Sequence, residues 1–245
     1  MSILEGKGVT KYFGGLAAVL NVDFSVERGE VFGLIGPNGA GKTTLFNLIS
    51  AAHPVKSGTI RFKDKKITGL KPYKICRMGV ARTFQTVKIF PDIPVFSNVL
   101  LGLHFGDSSR MSSEEKARRA SEYLDFVGLT DVKMMPAKDL TLANQKRLEV
   151  ARALATGPEL LLLDEIMAGL NSTEVSQAME LVNCIREKGI TIIMIEHVMK
   201  AIMNVCQRIM VLHHGEKIAE GTPQEIANSE KVIKVYLGEE AHATC

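Results

Sequence analysis

Residues 36–43 read Gly36-Pro37-Asn38-Gly39-Ala40-Gly41-Lys42-Thr43, with Thr44 next. The run satisfies G-x-x-x-x-G-K-[ST] at every fixed position. Phosphate oxygens need a ring of backbone N–H groups, and side chains would block that approach. Gly36, Gly39 and Gly41 clear the space and permit positive φ. A helix over residues 43–50 would turn its N-terminus and positive dipole end toward the same anion. Lys42 places a point charge on the outer phosphates, and Thr43 offers a hydroxyl to Mg²⁺. Pro37, Asn38, Ala40 and Thr44 complete the phosphate-binding run. Ahead of it, residues 31–35 are apolar and bounded by turn residues, which predicts a buried strand. Strand, glycine loop and helix in that order imply an α/β protein with a nucleoside-triphosphate site.

Working outward, Leu160-Leu161-Leu162-Leu163-Asp164-Glu165 reads as a second strand, buried on both faces and ending in two acids. Acids at the carboxyl end of such a strand lie in the usual ligand crevice of an open α/β sheet. Asp164 is suited to hold Mg²⁺, and Glu165 to polarise an attacking water as general base. Residues 191–195 form a third apolar strand, and residues 174–188 between them a helix. That order describes a right-handed parallel crossover. Near the N-terminus, residues 9–12 and 22–26 read as short strands. Residues 59–62 with a polar turn at 63–66 suggest a hairpin.

The middle differs. Residues 87–105 are apolar but broken by Pro91 and Pro94. Ser112 and Glu115 make a capping-box pattern, so a helix should follow with Ala117, Ala120, Leu124 and Val127 on its buried side. Gly128 should stop it, and residues 142–154 should form another helix. Thr222-Pro223-Gln224-Glu225 starts a further helix, with proline at its first position. The tail after Gly238 is polar and is expected to fray. The chain thus reads as one domain over 1–245, with a sheet core from both ends and a mostly helical insert over 86–155.

Composition excludes several classes. The chain has 245 residues, a formal net charge of +3 and no tryptophan. That charge is too small to argue for nucleic acid, and few aromatics leave no base-stacking platform. No apolar run approaches the roughly 20 residues of a membrane span, and Glu5 and Lys7 interrupt any export-signal core. Cys76, Cys184, Cys206 and Cys245 are scattered without metal spacing, as for reduced thiols.

The sequence resembles the nucleotide-binding subunits of ATP-binding-cassette (ABC) transporters over nearly its whole length. Residues 36–43 look like the Walker A loop, and residues 160–165 like Walker B with its glutamate. Gln85, in Arg82-Thr83-Phe84-Gln85, looks like the Q-loop glutamine, a sensor of Mg²⁺. His197 looks like the switch histidine at the γ-phosphate, and Phe13 like the aromatic that stacks on adenine. Ala168-Gly169-Leu170-Asn171 occupies the D-loop position.

The family signature L-S-G-G-Q corresponds here to Leu140-Thr141-Leu142-Ala143-Asn144, without either glycine. Thr141 keeps a hydroxyl, but Ala143 adds a methyl where backbone must approach phosphate. The proline after the Walker B glutamate is Ile166.

The resemblance implies a P-loop NTPase fold: a mixed RecA-like core, an antiparallel β subdomain (both within 1–85 and 156–245) and a helical subdomain over 86–155. It implies ATP and Mg²⁺, catalysis by Glu165, Gln85 and His197, metal ligation by Thr43, Gln85 and Asp164, and nucleotide contacts from Thr141 and Ala143. It implies a second ATPase subunit, identical or different, membrane permease subunits and, indirectly, a solute-binding protein. The site of action would be the cytoplasmic face of the cell membrane. The nearest subfamily resemblance is to the LivG-like ATPases of branched-chain amino-acid importers. Urea, short-amide and lipopolysaccharide systems, and a soluble non-transport cassette, remain alternatives.

Overall fold

The computed structural model describes residues 1–105 and 111–240. The glycine loop leaves the carboxyl end of β3 (Val31–Ile35), which lies inside a six-stranded sheet. The sheet order is β10 (Glu216–Gly221), β9 (Arg208–His213), β3, β8 (Thr191–Ile195), β7 (Leu160–Asp164) and β6 (Val80–Arg82). β9, β3, β8, β7 and β6 run parallel, and β10 returns antiparallel along β9. Every residue of β3, β7 and β8 is buried, as expected for parallel strands covered on both faces. The crossover from β7 to β8 runs through α6 (Ser172–Glu187), which opens on a capping box between Asn171 and Glu174. β6 is too short to show a period, and its pairing to β7 is set by tertiary structure.

A second, antiparallel sheet has the order β2 (Leu16–Glu27), β1 (Ser2–Phe13), β4 (Ser57–Phe62) and β5 (Lys65–Lys66). The two short strands expected from the sequence are in fact 12 residues each. Register shifts interrupt their pairing between Gly6 and Val9 and again up to Tyr12. Such bulges break the two-residue alternation on which a sequence reading depends. The hairpin turn is tighter than expected: Lys63 and Asp64 take positive φ, while Lys65 and Lys66 are already in β5.

α1 (Lys42–Ile49) follows the glycine loop and buries Leu45, Leu48 and Ile49. α3 (Val95–Phe105), α4 (Ser113–Phe126) and α5 (Leu142–Ala155) share a separate apolar core that includes Val99, Leu103, Leu124 and Leu148. Pro94 directly precedes α3, so the broken segment becomes a loop and then a helix. Ser112 caps α4 by accepting the Glu115 N–H. Ala120, Leu124 and Val127 are buried, but Ala117 is only half-buried. α2 (Pro72–Arg77) and α7 (Met199–Val205) are short connecting helices. α8 (Pro223–Ala227) carries the expected capping box at Thr222. α9 (Glu230–Glu240) continues past Gly238. The rest of the polar tail, with Cys245, lies outside the described residues. Among the described residues Cys76, Cys184 and Cys206 are unbridged, and no helix is long and apolar enough to cross a membrane.

Candidate active site

The glycine loop can fold only without side chains at two points. A Cβ on Gly36 (φ 148) would stand 2.1 Å from the Leu212 carbonyl oxygen. One on Gly41 (φ 102) would stand 2.3 Å from the Ala18 carbonyl oxygen. The loop is therefore wedged between β9 and β2, and its N–H groups gather at the start of α1. Lys42 is buried, and its Nζ donates to Gly36 O at 2.6 Å and Pro37 O at 2.9 Å. The ammonium is thus held at the mouth of the loop.

A cavity of about 420 Å³ opens over it, lined by Asn38, Gly39, Ala40, Gly41, Lys42, Thr43 and Thr44. Phe13, Gln85, Glu165 and His197 line the same cavity. Residues far apart in the chain therefore meet at one cavity, although Gly36, Pro37 and Asp164 are not among its lining residues. Phe13 is exposed at the tip of β1, edge-on to His53 at 5.4 Å. Leu16, Ala17, Ala18 and His214 also line the cavity and were not anticipated. Thr141 and Ala143 do not line it. Thr141 caps α5 by accepting the Asn144 N–H at 3.4 Å, so its own O–H stays available to donate.

Glu165 is the centre of the polar end. Its backbone takes a left-handed conformation, φ 52, which disfavours side chains and needs support. The Glu165 N–H donates to Ile195 O at 2.9 Å, tying the loop to β8. Gln85 Nε2 donates to Oε2 at 3.0 Å. His197 Nε2 lies 2.8 Å from Oε1 and donates in the Nε2–H tautomer. Both carboxylate oxygens are thereby oriented.

Asp164 lies behind Glu165 and is buried. Arg82 donates to its Oδ2 at 2.7 Å, and also to Asn47 Oδ1 at 2.5 Å. Thr83 Oγ1 accepts the Asp164 N–H at 3.0 Å. Burial pushes the Asp164 carboxyl above its ordinary range, and Arg82 opposes that rise. Nothing in the short segment 82–85 indicates from sequence that Arg82 faces Asp164. The parallel register of β6 on β7 decides it. Asp164 Oδ1 is buried without a hydrogen-bond partner. An orphaned hard oxygen on a buried carboxylate is of the kind that suits Mg²⁺. Among the described residues no three His, Cys, Asp or Glu side chains cluster to hold a metal by themselves.

The family model described as "ABC transporter" matches residues 19–168. A second, "Branched-chain amino acid ATP-binding cassette transporter", matches residues 216–242. The chain is 40% identical to the high-affinity branched-chain amino acid transport ATP-binding protein BraF of Pseudomonas aeruginosa, over 97% of this chain and 98% of the relative. It is 41% identical to LivG of Escherichia coli K12 over the same shares. It is 33% identical to the lipopolysaccharide export system ATP-binding protein LptB of Escherichia coli K12, over 98% and 99%. Among solved structures, the ADP conformation of MJ1267, an ATP-binding cassette of an ABC transporter, superposes with a TM-score of 0.89. It shares 31% identity, over 97% of this chain and 99% of that one. The dimeric post-hydrolysis state of MJ0796 bound to ADP and Pi gives 0.81 at 28% identity, over 90% and 98%. Fold, phosphate loop and relatives agree: this chain belongs to the ABC transporter family and carries its ATP-binding cassette.

Proposed function

We propose that this chain binds and hydrolyses ATP to drive import of branched-chain amino acids. The observation that supports the hydrolytic reading best is the convergence of Gln85 and His197 on the two oxygens of Glu165, beside the phosphate loop. Lys42 and the N-terminus of α1 bind the β- and γ-phosphates. Phe13 receives the adenine face. Glu165 accepts a proton from water as the water oxygen bonds to the γ-phosphorus. The bond from that phosphorus to the ADP oxygen breaks, giving ADP and inorganic phosphate. Gln85 and His197 hold the carboxylate in line, and His197 faces the γ-phosphate. Mg²⁺, held by Thr43, Gln85 and Asp164, supplies charge neutralisation on the phosphates when bound.

The segment 140–144 serves a second ATPase subunit, whose nucleotide it would cap. Residues 86–155 act as the helical subdomain, with the remainder as the sheet core. A groove of about 360 Å³, lined by Ile75, Phe84, Phe90, Leu101, Phe105 and Arg152, is offered to a cytoplasmic helix of a permease. Phe84, Phe90 and Phe105 are exposed there, so an apolar partner surface would cover them. The chain acts on the cytoplasmic face of the membrane, with a solute-binding protein on the far side. The family match over residues 216–242 and the 40–41% relatives favour amino-acid import over lipopolysaccharide export.

Glu165→Gln tests the core of this reading. It should bind ATP as the unaltered chain does, lose turnover and accumulate as an ATP-bound dimer on gel filtration. Turnover at the unaltered rate would refute the assignment of the base.

A further inference from the structure

The loop that carries Glu165 is gripped from two sides by buried charges that the hydrolytic step does not use. Lys146 is 7% exposed and stands on α5, just after the segment 140–144. Its Nζ donates to Glu165 O at 3.0 Å and to Ala168 O at 2.5 Å. From the other side, Glu196 Oε1 accepts the Met167 N–H at 2.8 Å. Burying an ammonium is costly, and burial lowers the Lys146 pKa, while Glu196, Glu149 and Glu165 oppose that shift. An apolar side chain would fill the same volume without that cost, so the donors themselves matter.

We propose that Lys146 is a positioning residue that couples the two ATP sites of the assembled dimer. The inference rests on the ATPase reading above. On that reading residues 140–144 cap the partner subunit's ATP from the first turn of α5, whereas Glu165 serves this chain's own ATP. A helix is stiff over a single turn, so a displacement of residues 140–144 carries Lys146 with it. Two carbonyls of the base-bearing loop then follow the ammonium. Glu165 is the residue most sensitive to that movement, because its left-handed backbone (φ 52) holds only while its neighbours hold it. Seating of the partner's nucleotide is thereby transmitted to the base without any contact between the two nucleotides.

The test uses the full chain in its assembled ATPase complex, with ATP as the probe. Lys146→Met removes the donors and keeps the volume. Lys146→Arg keeps two donors. Lys146→Met with Glu196→Gln removes both buried charges together. Turnover is measured against ATP concentration, with ATP binding and Tm recorded separately. Lys146→Met should lower kcat about tenfold or more, leave the ATP Kd within about twofold, and reduce the Hill coefficient toward 1. Lys146→Arg should restore most of the rate. The double variant should melt like the unaltered protein yet remain slow and non-cooperative. The proposal is overturned if Lys146→Met keeps the unaltered kcat and Hill coefficient, or if the double variant recovers them. It is also overturned if ATP binding and Tm fall along with kcat in both, which would mark a merely structural residue. Loss of all turnover by the unaltered complex, or retained turnover in Glu165→Gln, would instead refute the ATPase reading itself.

Discussion

Glu196→Gln should stabilise this protein at pH 8 and do much less at pH 5. Glu196 is 3% exposed at the end of β8, and its Oε2 has no hydrogen-bond partner. Burial pushes its pKa from 4.5 to about 7, opposed by the Met167 N–H and by Lys146. Glu165 adds to the rise, and Cys206, raised to about 12 by burial and then by Glu196 and Glu30, stays a neutral thiol beside it. A carboxyl whose folded pKa lies above its unfolded value contributes most below the unfolded pKa. That contribution is lost as pH rises through the folded value. Between pH 5 and 8 the loss is about 2.5 kcal/mol. Glutamine keeps an oxygen for the Met167 N–H and carries no charge, so it escapes this loss. Urea denaturation of both proteins at pH 5, 6, 7 and 8 measures it. The stability difference should grow by about 2.5 kcal/mol across that range. A difference that stays constant with pH would show that Glu196 is not held near neutrality by burial.

Arg82→Met should cost about 3–5 kcal/mol in denaturant melts, because it leaves Asp164 buried without its cation. Installing glycine at Ala143 should raise ATP turnover of the assembled complex up to about tenfold. One restored backbone bond to a phosphate oxygen is worth about 1.5 kcal/mol; unchanged or lower turnover would refute that view of the signature. Phe13→Ala should weaken ATP binding by about 1–3 kcal/mol, the range of one base–aromatic contact, in a fluorescent-nucleotide titration. If the affinity is unchanged, the adenine lies elsewhere.

Much of the site was legible because its chemistry restricts residue type at fixed spacing. Gly36, Gly41, Lys42 and Thr43 are adjacent in the chain, and no other residue types present backbone N–H and charge in that way. Asp164 and Glu165 were legible for a related reason: four leucines before two acids describe a buried strand reaching a crevice. Gln85, His197 and Phe13 carry no local pattern of their own, so the roles proposed for them rest on resemblance. The long strands β1 and β2 were under-read, since bulges between Gly6 and Tyr12 erase the alternation.

Arg82, Lys146 and Glu196 were not legible at all. Arg82 ends a strand too short to show a period, Lys146 lies among the polar residues of a helix, and Glu196 follows the last residue of a buried strand, so each reads as an ordinary polar residue. Only the pairing of β6 with β7 turns Arg82 toward Asp164. Only the packing of α5 against the loop after β7 brings Lys146 to the carbonyls of Glu165 and Ala168.

The sequence by itself therefore determined the phosphate loop, the parallel crossover and the kind of substrate. Those depend on hydrogen bonds and burial among near neighbours in the chain. The tertiary structure alone decided how the Glu165 carboxylate is held, and which buried charges share its loop. Those depend on groups on separate elements, 19 to 80 residues apart, meeting around one loop, and a buried charge reveals its worth only through the partner it meets.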